Sequence, residues 1–117
     1  MSAENAQAQI KAVFDDGFAV VNGREYRFEK MTHKERRKVF AYASNIGAAL
    51  TVGNFSFLDS NEFVPVERVI SEYVSFDGMT LDKLKNHWDQ YPQDYLTLTV
   101  TALGVISYPF TQGGSGS

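Results

Sequence analysis

The chain of 117 residues contains no cysteine. Disulfides, thiolate nucleophiles and cysteine metal sites are therefore excluded. It has two histidines, His33 and His87, and they are not spaced as a metal-binding pair. No apolar run approaches the roughly 18 residues that span a bilayer, so no membrane segment is expected. The opening "MSAENAQAQIKAVF" lacks a basic region followed by an apolar core, so no signal peptide is expected. Together these absences make a cytosolic location the default. Phosphate-loop, dinucleotide, zinc-protease and serine-hydrolase motifs are also missing. "DSNE", Asp59–Glu62, matches the first positions of a calcium loop but lacks the glycine and terminal glutamate that follow in one. A turn cap is the simpler reading. No cofactor, metal ligand or catalytic residue is expected, and the chain is read as not an enzyme.

What remains is an ordinary globular composition, 44% hydrophobic and 21% charged, of a size that suits one core. The net charge of −3 disfavours a general nucleic-acid binder. It conceals a polarised layout. Between Arg24 and Lys38 lie seven basic and three acidic residues; between Asp59 and Asp94 lie eight acidic and three basic. Such opposite patches are satisfied within one fold or between copies of it.

The first secondary-structure signal is "GFAVVNGREYRF". Two β-rich runs, Phe18–Val21 and Arg24–Phe28, flank Asn22-Gly23, the pair that supplies two positive φ angles to a type I′ turn. In the second run Arg24, Tyr26 and Phe28 share one face, which is mostly aromatic. A lone hairpin is marginal in water, so that face must pack on something.

A helix follows. Thr32 and Glu35 form a capping box. Val39, Ala43, Ile46 and Leu50 repeat at helical spacing, and the helix is expected to end near Thr51. Lys34, Arg37 and Lys38 fall on the wet face. Arg36 is the exception: it projects with Val39 and Phe40 and must snorkel or find a carboxylate. "GNFSFLDSNEFVP" reads as a loop carrying Phe55, Phe57 and Phe63. A second helix is expected from Pro65 through Val74, stopped by Gly78, and a third from Thr80 with Leu81, Leu84 and Trp88 inward. Residues 95–106 alternate like a strand, yet Pro92-Gln93-Asp94 opens them like a helix, and helix is the expectation.

The predicted fold class is mainly α: a small helical domain of about four helices with an N-terminal β-hairpin. Residues 1–10 are expected to be flexible or weakly helical, residues 11–110 to form the domain, and residues 111–117, with "GGSGS", to form a flexible tail.

The basic cluster has three readings: a solvated face, a docking surface for an acidic partner or a second copy, or a phosphate or nucleic-acid contact. Cations at a helix start oppose the dipole by about 0.3 kcal/mol or more each at low salt, which weakly favours a functional reason. Phe55, Phe57 and Phe63 are either lids on the core or an exposed patch for a partner. The candidate partner-binding or self-association residues are therefore Lys34, Arg37, Lys38, Phe55, Phe57 and Phe63.

The hairpin with its basic capped helix, "VVNGREYRFEKMTHKERRKVFAYA" (20–43), and the later "HWDQYPQDYLTLTVTALG" (87–104) resemble the tail assembly chaperones of long-tailed, lambda-like bacteriophages. The resemblance is one of pattern. It implies a helical protein made in the host cytoplasm during virion morphogenesis, which coats and solubilises the tape measure protein and self-associates, in some cases as a spiral. It also implies a frameshifted longer form that recruits tail tube protein. It implies no catalytic residue. The competing expectation is a small regulatory nucleic-acid-binding protein that uses the basic helix start.

Overall fold

The computed structural model describes the backbone of residues 3–115 and the side chains of residues 9–111. Five α-helices surround a small antiparallel sheet, so the fold is mainly α. Helix α1 spans Ala3–Asp16. Of the flexible or weakly helical start expected for residues 1–10, the described part is helix from Ala3, and Ile10 and Val13 are half-buried anchors. Gly17, at φ 82°, ends it and turns the chain into the sheet.

Strands β1 (Phe18–Val21) and β2 (Arg24–Phe28) form the expected hairpin, with Phe18 opposite Arg27 and Val21 opposite Arg24. Asn22 at φ 51° and Gly23 at φ 82° make its turn. Helix α2 spans His33–Thr51, as its capping box and Gly53 foretold, and Thr32 Oγ1 accepts the Glu35 N–H at 3.2 Å.

The chain between Thr51 and α3 is less open than its composition suggested. It contains a 3-10 turn at Ser56–Asp59, and Ser60 Oγ donates to Phe57 O. Helix α3 then begins at Phe63, two residues before Pro65, and runs to Tyr73. Proline within a first turn is tolerated because no intrahelical N–H is needed there.

The expected helix end at Gly78 is corrected. Val74 leaves the helix and opens β3 (Val74–Phe76), which pairs through Asp77-Gly78 with β4 (Met79–Thr80). Both turn residues have positive φ, 54° and 85°. Strand β3 pairs with β2, placing Tyr26 opposite Phe76, so the sheet has the order β1-β2-β3-β4. The expected third helix is a 3-10 turn at Leu81–Lys83 followed by the single turn α4 (His87–Gln90).

Helix α5 spans Pro92–Ser115. Residues 95–106 are therefore helix, despite the alternation of Leu and Thr. Burial nearly all round α5, at Leu98, Thr99, Ala102, Leu103, Val105 and Ile106, removes the polar face that periodicity looks for. The tail expected at 111–117 is helical as far as Ser115; residues 116 and 117 lie outside the described residues. The core lies where α2, α3 and α5 meet the inner sheet face, around Tyr26, Val39, Phe63, Val74 and Leu98.

Candidate functional site

The seven basic residues of the cluster divide by where they point. Arg24 shares a face with Tyr26 and sits at the end of β2. Its Nε donates to Asp94 Oδ2 at 2.6 Å and its Nη2 to Asp94 Oδ1 at 3.0 Å. The guanidinium also lies 4.2 Å from the centre of the Tyr91 ring. Asn22, in the hairpin turn, donates to Asp94 Oδ1 at 2.7 Å, and Tyr26 OH donates to Oδ2 at 2.6 Å. Asp94 is fully buried in the first turn of α5 and accepts four hydrogen bonds from three hairpin side chains.

These bonds and burial together set the protonation states. The Arg24 hydrogen bond holds the Asp94 carboxyl far below the ordinary carboxylate range, against the upward push of burial. Burial first, then the bond to Asp94, pushes the Tyr26 phenol far up. Burial lowers His87. Tyr26 has a single hydroxyl proton, and a carboxylate cannot donate. Tyr26 therefore gives its proton to Asp94, and His87 Nε2, 2.8 Å from the same oxygen, carries the N–H that points at Tyr26. A Tyr-His-Asp set can suggest proton-transfer chemistry. Here Asp94 is fully ionised and every one of its partners is a donor, so it has no basic lone pair to spend on a substrate. The cluster clamps the hairpin to α5.

Two further cations are also used internally. Arg27 Nε pairs with Glu25 at 2.9 Å on the outer face of the hairpin. Arg36 turns toward the core side, as its helical phase required. It meets no carboxylate of a described residue; its Nη1 donates to the carbonyl of Ile106 at 2.9 Å. Pro109, inside α5, lacks an N–H and crowds the carbonyls one turn back. Arg36 supplies a donor to that turn.

Lys30, Lys34, Arg37 and Lys38 remain. All four are exposed and none forms an ion pair with a described residue. The acidic residues Asp59, Glu62, Glu72, Asp77, Asp82 and Asp89 are likewise exposed. Asp94 is spent on Arg24, and Glu67 accepts from Tyr95 OH. The charge polarity of the sequence thus survives folding as exposed basic residues at and just before the start of α2 and exposed acidic residues later in the chain.

The aromatic candidates separate differently. Phe63 is 1% exposed and Phe57 8% exposed. Their rings meet at 5.4 Å, and Tyr42 packs on Phe63 at 5.7 Å. Phe55 is half-buried and 6.5 Å from Phe57. Of the two readings, burial favours lids on the core: Phe57 and Phe63 close the core under the 3-10 turn, with Phe55 half-buried beside them. Phe63 had been placed in a loop, but as the first residue of α3 its side chain points inward.

Sequence reasoning gave no sign of a groove of about 550 Å³ between α1, α2 and α5. Its walls are largely apolar, with Ile10, Phe40, Leu50, Val100 and Leu103 among them. Gly104 forms its floor, and a Cβ there would lie 2.8 Å from the Ile10 side chain. Ser107 also lines it, and Ser107 Oγ is buried with no hydrogen-bond partner among the described residues. Ser44 marks the α2 rim, and Arg37 stands seven residues earlier on the same line of the helix. A signal did exist for the Asp94 clamp: Arg24 on an otherwise aromatic strand face demands a partner.

Among the described residues no group of acidic, histidine or cysteine side chains is placed to hold a metal ion. No helix among them is long and apolar enough to cross a membrane. No protein-family model matches the chain, and neither a curated protein nor a solved structure matches it.

Proposed function

We propose that this protein is a non-enzymatic assembly chaperone of the long-tailed phage kind. In this reading it holds an apolar or amphipathic helix of the tape measure protein in the α1–α2–α5 groove and self-associates through charge. The observation that carries the proposal is the groove: a largely apolar trough of about 550 Å³ beside an α2 surface whose Lys34, Arg37 and Lys38 have no ion-pair partner among the described residues. Exposed Ala41, Ser44 and Ala48 along the same rim let a second helix approach closely. A client with an apolar stripe and acidic flanks fits both features. The exposed acids of the second half of the chain offer the same basic face to another copy, head to tail.

The test is co-expression with a tape measure client, with and without the change Lys34→Glu, Arg37→Glu, Lys38→Glu. The wild-type protein keeps the client soluble and co-purifies with it. The triple variant folds but loses both properties. Sedimentation should show self-association weakening with salt, since exposed pairs are screened over about 8–10 Å at moderate ionic strength. A client equally insoluble with and without the wild-type protein rejects the chaperone reading. Retention of DNA or RNA at physiological salt would instead favour nucleic-acid binding through the start of α2.

A further inference from the structure

A second cavity lies about one turn further along α1, where its C-terminal turn meets the end of the hairpin, the start of α2 and α5. Its volume is about 350 Å³. Val13, Phe14, Phe28, Met31, Tyr73 and Val105 give it an apolar wall, and Arg36 lines it as the inward cation. Glu29 and Lys30 also line it and are exposed, so their charges largely offset each other in water.

Arg36 is unusually placed for a guanidinium. It is half-buried, and burial lowers its affinity for its proton. Of its five N–H donors, one is engaged, by the Ile106 carbonyl. Among the described residues its one other charge-related contact is the Phe14 ring, 5.9 Å from the guanidinium carbon and at the outer limit of cation–π attraction. Arg36 is half-buried and its remaining N–H groups still reach water, so an anion that replaces that water gains charge-assisted hydrogen bonds to them. No carboxylate of a described residue lies within ion-pairing distance of Arg36. Arg36's accessible donors and the apolar wall occur in the same cavity.

We propose that this cavity is a binding site for a small amphiphilic carboxylate, whose head group is gripped by Arg36 and whose apolar body lies against Val13, Phe28, Met31 and Val105. Arg36 is pre-oriented for the task, because its Nη1 is already fixed on Ile106 and the rest of the planar fork is unspent. A planar guanidinium matches a carboxylate with two parallel hydrogen bonds. Size selects the ligand class. At about 30 Å³ per water volume the cavity holds a dozen or so heavy atoms. One turn of helix with its side chains fills roughly 400 Å³ or more, so a client helix belongs in the α1–α2–α5 groove and not here. The site is independent of the chaperone reading.

The experiment titrates the purified full chain with decanoate, decanol and decylamine, three probes with the same apolar body and a negative, neutral or positive head. Binding is read by calorimetry and by the shift in Tm. Decanoate is expected to bind saturably, one per chain, and roughly ten- to a hundred-fold more tightly than decanol, the range expected of hydrogen bonds to a charged group. Decylamine should be the weakest. Arg36→Met should bring decanoate down to the affinity of decanol, and Arg36→Lys should retain part of the preference. Equal binding of decanoate and decanol by the wild-type chain overturns the proposal, as does an absence of saturable decanoate binding. The three-probe comparison needs no variant, so the test stands even if Arg36→Met does not fold. A decanoate preference that persists in a folded Arg36→Met protein also overturns it.

Discussion

Replacing Asp94 by Asn changes one oxygen into an NH2 group and nothing else in size. In the native clamp Oδ2 accepts from Arg24 Nε and Tyr26 OH, while Oδ1 accepts from Arg24 Nη2 and Asn22 Nδ2. Whichever way the new amide is turned, its NH2 faces an Arg24 N–H, which cannot accept, and one neighbour, Tyr26 OH or the Asn22 amide, that must turn round to accept. Breaking a buried ion pair from one side costs about 3–5 kcal/mol. The Arg24 side chain keeps 23% of its exposure and can recover some water, so the lower end, about 3 kcal/mol, is expected. For a chain of this size that corresponds to a fall in Tm of about 10–15 °C. Urea unfolding followed by the fluorescence of Trp88 suits the measurement. It is the single tryptophan, and it lies 5.2 Å from Tyr95 and 6.2 Å from Tyr26. The pH dependence provides a second arm. The folded pKa of Asp94 is depressed, so its contribution is fully present above the unfolded value of about 3.9 and is lost as pH falls toward the folded value. The gap between wild type and Asp94→Asn should therefore narrow below about pH 4. A loss under about 1 kcal/mol at pH 7, or a gap that stays constant from pH 5 to pH 2, would refute the assignment of Asp94 as the clamp.

Ser107→Ala removes a buried hydroxyl with no partner among the described residues and should raise stability by about 1 kcal/mol in the same urea assay. Gly104→Val should pry α1 from α5, since even a Cβ at this position meets Ile10 at 2.8 Å; hydrogen exchange should then show loss of protection across α1 with α2 and α5 unchanged. Lys34→Glu alone, in the first turn of α2, should stabilise the fold by about 0.3–1 kcal/mol at low salt by meeting the helix dipole with the right sign, and the gain should fade as salt is added.

Much of the fold was legible because local chemistry and tertiary packing agree. Asn22-Gly23 between two β-rich runs, and Thr32 with Glu35 before an apolar stripe, each specify their element without help from the rest of the chain. The second hairpin was missed although Asp77-Gly78 is the same kind of turn signal. Its strands have three and two residues, too few to show alternation, and Val74 continued the helical pattern of Val66, Val69 and Ile70. Phe57 and Phe63 looked exposed because polar neighbours surround them in sequence, while their rings meet across the core. The clamp was hidden by distance: Asp94 reads as an ordinary acid in a first helical turn, and its partners lie about 70 residues away. The groove and the Arg36 cavity are properties of three or four elements together, and no single stretch encodes them. Arg36 itself was legible as a misplaced cation.

The 70-residue span between Arg24 and Asp94 also has a consequence during synthesis. Translation adds about 5–20 residues per second, so the hairpin leaves the ribosome roughly 4–14 s before the carboxylate that anchors it. During that interval Tyr26 and Arg24 have no mate on α5, and the sheet lacks its third strand for most of the time. The nascent chain must hold a half-made surface open until its last helix arrives. A ribosome stalled before residue 94 would therefore present quality-control factors with an unclosed hairpin instead of a folded domain.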